Sequence, residues 1–98
     1  MKENDYQAKL IKKLRLLFPD CVIQKNDSSY IQGYPDITIF YYDRWAALEV
    51  KRDANASERP NQQYWVDTLN QMSYASVIYP ENETRVLNEL QHALRTSR

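Results

Sequence analysis

The chain is short of several things at once: one glycine, one cysteine and one histidine in 98 residues, and no net charge. A lone Cys21 excludes an intramolecular disulfide, so the chain reads as intracellular. No apolar stretch approaches the roughly 20 residues that span a bilayer, which predicts no membrane segment. The charged opening MKENDYQAKL has no signal-peptide character and is read as part of the fold. A histidine catalyst needs a partner that orients it; His92 is expected on the polar side of the last helix, as a solvated residue rather than a catalyst. Ser28 and Ser29 lack a nearby base, which argues against nucleophilic catalysis. Zero net charge means that bulk electrostatics point to no partner. The single glycine, Gly33, stands just before Asp36, where it permits an unusual backbone angle or a close approach.

What is present amounts to one α/β domain over residues 1–98. Apolar residues at Tyr6, Leu10, Leu14, Leu17 and Phe18 recur at helical spacing from Asp5 to Phe18, and Pro19-Asp20 ends the run. CVIQK reads as a short strand, and NDSSYIQG as a polar loop. DITIFYY and RWAALEVK, separated by the polar Asp43-Arg44 pair, read as the two strands of a hairpin. A polar loop containing Pro60 leads into a helix from Asn61 to Met72, with Tyr64 or Trp65, Val66, Leu69 and Met72 at helical spacing. YASVIY is a further strand stopped by Pro80. A last amphipathic helix carries Val86, Leu87, Leu90, Ala93 and Leu94, closed by Arg95 and Arg98, whose charges suit its dipole. The order α-β-β-β-α-β-α fits one small mixed sheet flanked by helices.

In the hairpin, a register that sets Asp36 opposite Glu49 pairs Ile37 with Leu48, Ile39 with Ala46 and Tyr41 with Arg44. Side chains alternate between faces along a strand, so Ile37, Ile39, Ala46, Leu48 and Val50 form an apolar face. Asp36, Glu49 and Lys51 then gather at one end of the other. Two converging carboxylates repel each other unless a cation lies between them. Mg²⁺ prefers oxygen ligands and often takes only one or two protein carboxylates, and the Val50 carbonyl is placed to be another ligand. Lys51, one step beyond, is suited to hold or deprotonate a water and to offset charge on a phosphoryl group. A plain ion pair of Glu49 with Lys51, beside an Asp36 that caps the turn after Pro35, satisfies the same short pattern.

Gly33-x-Pro35-Asp36, followed at a distance by Glu49-x-Lys51, resembles the PD-(D/E)xK nuclease superfamily, and within it the small stand-alone phage and bacterial VRR-NUC domains. The similarity extends to Glu3 and Gln7 on the first helix and to Gln62, Trp65 and Leu69 on the second, covering roughly residues 3 to 80. The resemblance implies a restriction-endonuclease-like core and Mg²⁺- or Mn²⁺-dependent hydrolysis of DNA. It makes Asp36 and Glu49 metal ligands and Lys51 the residue that orients or activates the attacking water. Gln62 supports the site. Glu3 holds a second ion or a water, or else belongs to a capping turn. The family's basic strip on and after the last strand is replaced here by the acidic SVIYPENE. That shifts DNA contact to Lys51, Arg52, Arg59 and the first helix with Lys9, Lys12 and Lys13, a stretch that equally suits a solvated helix face.

The resemblance further implies a symmetric homodimer acting on branched DNA such as a four-way junction, in the cytoplasm of a bacterium or a phage-infected host. The alternative is a non-catalytic DNA-binding or scaffold domain that keeps the nuclease fold; a fortuitous match in a small interaction module is a third reading. The tyrosines at strand ends can stack on bases but equally serve as rim packing. Cys21 is expected to be a small buried hydrophobe.

Overall fold

The computed structural model describes residues 1–95, so Arg98 lies outside the described residues. The elements are α1 (Glu3–Leu17), β1 (Val22–Lys25), β2 (Ile37–Tyr41), β3 (Arg44–Val50), α2 (Gln62–Met72), β4 (Tyr74–Ile78), a 3-10 turn (Pro80–Asn82) and α3 (Glu83–Arg95). This is the α-β-β-β-α-β-α order expected from the sequence.

The four strands form one sheet in the order β1-β2-β3-β4. The first three are antiparallel neighbours, and β4 runs parallel to β3. A parallel neighbour cannot follow from a tight hairpin and needs a crossover, which α2 supplies. The hairpin register is the expected one: Ile37 faces Leu48, Ile39 faces Ala46 and Tyr41 faces Arg44. The turn, however, is Tyr42-Asp43, and Arg44 opens β3. Tyr42 takes the positive φ of 57° that a two-residue hairpin requires, in a position where the chain offers no glycine.

Ile37, Ile39, Ala46, Leu48 and Val50 are fully buried, together with Tyr6, Leu10 and Leu14 of α1 and Val86, Leu90 and Leu94 of α3. Both outer helices therefore cover one face of the sheet. The other face is covered by α2, through Val66 and Leu69 against Ala47 and Ala75, with Tyr34 of the loop before β2 packed against them. That helix is too narrow for four strands. Val22, Phe40 and Met72 stay exposed beside it, so the periodicity that placed Met72 with the apolar positions does not carry it into the core. Cys21 is only half-buried at the core margin, because it precedes β1 and packs from outside the sheet. His92 is exposed on α3.

Two interactions outside the sheet fix the helices. The Tyr6 hydroxyl donates to Glu83 at 2.8 Å, and the Lys13 ammonium pairs with the other oxygen of the same carboxylate, tying α1 to the start of α3. At the far end, the Arg95 guanidinium lies 4.9 Å above the Phe18 ring. Among the described residues no helix is long and apolar enough to cross a membrane.

Candidate active site

The site begins with the segment Gly33-Tyr34-Pro35-Asp36. Gly33 has φ +81°, and a Cβ there would lie 2.5 Å from the Pro60 carbonyl oxygen, 2.7 Å from the Asn61 carbonyl carbon and 2.8 Å from the Gln62 nitrogen. Those are backbone atoms, which cannot swing aside. The chain's one glycine is thus the point where the approach to β2 touches the entry to α2. Asn61 opposite it also adopts a left-handed conformation, φ 70°.

Glu49, Lys51 and Gln62 are 2%, 6% and 7% exposed, the three buried polar side chains of the core. Buried polar groups need partners, and these find them in one another. The Gln62 amide donates through Nε2 to Glu49 Oε2 at 2.7 Å, and its Oε1 accepts from Lys51 Nζ at 2.7 Å and from the Arg59 backbone N–H at 2.8 Å. Lys51 Nζ also donates to the Ser57 carbonyl at 3.1 Å and stands 3.6 Å from Glu49 Oε2. Gln63, the neighbouring glutamine, faces outward and donates to Asp67. Asp36 enters from β2: its Oδ2 accepts the Val50 N–H at 2.7 Å. The Val50 main chain therefore lies beside the Asp36 carboxylate.

This arrangement leaves one atom unprovided for. Glu49 Oε1 is buried and has no hydrogen-bond partner within the chain. Burial, first, and then the Asp36 charge push the Glu49 carboxyl up to about 8, with Lys51 working in the opposite direction. Burial also raises Asp36, against the lowering effect of the Val50 N–H. A divalent cation between the two carboxylates would relieve both effects and give Glu49 Oε1 a partner, so the donor set fits such an ion.

Glu3, expected to hold a second ion or a water or else to belong to a capping turn, lies in the first turn of α1. It is the first residue of α1, half-buried, and its charge raises both Asp36 and Glu49. Yet among the described residues no group of three or more His, Cys, Asp and Glu is close enough to hold one ion. Its charge acts on the pair from the first turn of α1, whose N-cap is Lys2.

A cleft of about 520 Å³ opens at Lys51, walled by Lys2, Glu3, Arg52, Ser57, Glu58 and Arg59. Of the expected DNA contacts, Arg52 and Arg59 belong to this cleft. Lys9 and Lys13 line a separate groove with Tyr6, Pro80 and Glu83, and Lys13 is committed to Glu83. Lys12 is exposed on α1. Sequence reasoning missed Asn26, Ser57 and the Arg59 backbone. The last two act through main-chain atoms and leave no signature in residue type.

No family model matches the chain, and no curated protein matches it. Among solved structures, the fold is similar to one described as a VRR_NUC domain protein, with a TM-score of 0.67 and 17% sequence identity over 97% of this chain and 89% of that one. The mixed four-stranded sheet, its three helices and their order are thus those of the VRR-NUC fold.

Proposed function

We propose that the protein is a metal-dependent DNA endonuclease, hydrolysing phosphodiester bonds with Mg²⁺ or Mn²⁺. The observation that carries this reading is the buried Glu49–Lys51–Gln62 cluster with the half-buried Asp36 beside it, which has one unsatisfied carboxylate oxygen and meets, at Lys51, a cleft lined by Arg52 and Arg59. A structural ion pair would have no reason to leave Glu49 Oε1 bare beside the half-buried Asp36 carboxylate.

In this reading Asp36, Glu49 and the Val50 carbonyl hold the ion. When bound, it supplies Lewis acidity and lowers the pKa of a coordinated water. Asp36 is aimed by the Val50 N–H and Glu49 by the Gln62 amide, so neither carboxylate has to search for its orientation. Gln62 Oε1 and the Ser57 carbonyl fix the Lys51 ammonium beside the pair. From there it orients the attacking water or offsets the charge that develops on the phosphoryl oxygens. Glu3 adds negative charge at the rim and so favours occupancy by a cation. Arg52 and Arg59 meet the DNA backbone, with Lys9 and Lys12 as outlying contacts and Lys13 restrained by Glu83.

We further propose a homodimer that presents two sites to branched DNA such as a four-way junction. Supporting it is the open apolar side of the sheet, where Tyr30, Phe40, Trp45 and Met72 line a groove of about 720 Å³ with no lysine or arginine in its walls. Such a surface suits a protein better than a phosphate backbone. On the resemblance, we place the protein in the cytoplasm of a bacterium or phage-infected host.

The test is cleavage of labelled linear, nicked, flap and four-way DNA with Mg²⁺, Mn²⁺ or EDTA. Metal-dependent cleavage is expected, strongest on the junction, and Lys51→Ala should abolish it with the far-UV circular dichroism unchanged. No cleavage of any substrate with either metal overturns the enzyme reading, and DNA binding without cleavage favours the scaffold alternative. Light scattering decides between dimer and monomer.

A further inference from the structure

We propose that Asn26 is a positioning residue for Asp36, a role that rests on the nuclease reading for its catalytic consequence but not for its geometry. Asn26 follows the last residue of β1. Its backbone N–H donates to the Asp36 carbonyl at 2.8 Å, carrying the β1–β2 ladder one step beyond Lys25 and Ile37. Its side-chain Nδ2 donates to the Pro35 carbonyl at 3.0 Å and to Thr38 Oγ1 at 3.0 Å. One residue therefore grips the chain immediately before Asp36, at Asp36 and two positions after it.

The residue type follows from the donors required. A primary amide nitrogen carries two hydrogens and can satisfy two acceptors at once; aspartate offers none when ionised and serine offers one. Gly33, three residues before Asp36, meets the α2 entry. The segment is thus fixed at both ends, and Asn26 is the support that bears on the Asp36 backbone itself. That matters because its carboxylate reaches across to the Val50 N–H at 2.7 Å, a bond that ends if the Asp36 peptide rotates or slides. Asn26 touches no atom of the proposed reacting centre. It acts through Asp36.

The Val50 amide reports the geometry without reference to activity. In the metal-free protein, Asn26→Ala and Asn26→Asp should each speed hydrogen exchange at Val50 about tenfold, the equivalent of one hydrogen bond lost, while Leu48 and Ala46 keep their protection. Thr38→Val retains the Pro35 contact and should leave Val50 within about threefold of wild type. In the cleavage assay both Asn26 variants should lose kcat with the KM for DNA unchanged, as expected for a displaced ligand rather than a lost DNA contact. Unchanged Val50 exchange in both Asn26 variants overturns the proposal. So does a uniform loss of protection along β2 and β3, which would mark Asn26 as a general strand support. If Val50 alone loosens in a protein whose wild type cleaves no DNA, the nuclease reading falls and the positioning of Asp36 by Asn26 stands.

Discussion

Gly33→Ala is the substitution whose consequences the structure specifies most fully. At φ +81° an L-residue is strained by roughly 1–2 kcal/mol relative to glycine. The new Cβ would lie 2.5 Å from the Pro60 carbonyl oxygen, and ordinary contact begins at 3.4 Å, so the α2 entry must retreat by the difference, about 0.9 Å. Overpacking against fixed neighbours costs about 1–3 kcal/mol, which brings the expected destabilisation to about 2–5 kcal/mol. A domain of this size has roughly 5–15 kcal/mol in all, so the variant should fold with a clearly lowered urea midpoint. The retreat also acts on chemistry. Gln62 rides on the moved backbone, and its 2.7 Å bonds to Lys51 and Glu49 would stretch towards about 3.6 Å, beyond hydrogen-bonding range. Displacements of this size cost on the order of a hundredfold in rate. Urea unfolding with a cleavage assay measures both effects. A variant within about 0.5 kcal/mol of wild type and equally active would refute the close-approach argument.

Three further outcomes follow from the same network. Glu49 ionises near 4.5 when unfolded and near 8 in the fold, so the native state binds the extra proton; metal-free stability should fall as pH rises from about 5 to 8, and added Mn²⁺ should raise Tm more at pH 8 than at pH 6. A thermal scan series decides it, and a flat profile would refute the raised pKa. Glu49→Gln mimics the protonated form, so at pH 8 the metal-free variant should be more stable than wild type while losing Mn²⁺-dependent stabilisation, as calorimetry would show. Tyr6→Phe removes one hydrogen bond to Glu83, outside the lining of the cleft at Lys51, and should cost about 1 kcal/mol in urea with cleavage unaltered.

The sheet's register and one of its faces could be read in advance because the information is local. Alternation along DITIFYY and RWAALEVK permits one pairing that buries Ile37, Ile39, Ala46, Leu48 and Val50 together, and a slip of one residue would expose them all. Gln62 could be singled out because Gln62, Trp65 and Leu69 match the spacing that the family resemblance implies, and it is Gln62 that meets Glu49 while Gln63 meets Asp67. Other features had no such marker. Tyr42 occupies a turn position that ordinarily favours glycine or asparagine, so the turn was displaced by one residue. Met72 keeps the apolar period of α2 but lies at the rim of the open groove over the sheet, and the period cannot tell how wide a surface the helix covers. Asn26 lay in a stretch that reads as a polar loop. Its role depends on the turn between Asp27 and Gly33 bringing Pro35 back beside it, and that is a tertiary event.

The acidic strip after β4 can be followed through the same contacts to a direction for the DNA. Glu83 is engaged by Tyr6 and Lys13, and Glu81 accepts the Ala54 N–H at 3.3 Å, so these carboxylates serve to hold α1 and the loop after β3 against the start of α3. A second cleft that reaches Lys51 is walled by Asp53, Glu58, Asp67 and Asn82, with Arg85 the cation besides Lys51. A phosphate backbone entering there would meet more negative than positive charge. The first cleft carries Lys2, Arg52 and Arg59 around the same lysine, against Glu3 and the shared Glu58, and so keeps an excess of positive charge. Under the nuclease reading the scissile phosphate must therefore arrive from the α1 side, over Arg59. Arg59→Ala should then weaken DNA affinity and reduce the salt dependence by about one counterion, whereas Arg85→Ala should leave both unchanged. Equal effects of the two in binding titrations over a range of salt would place the path across both clefts and refute this direction.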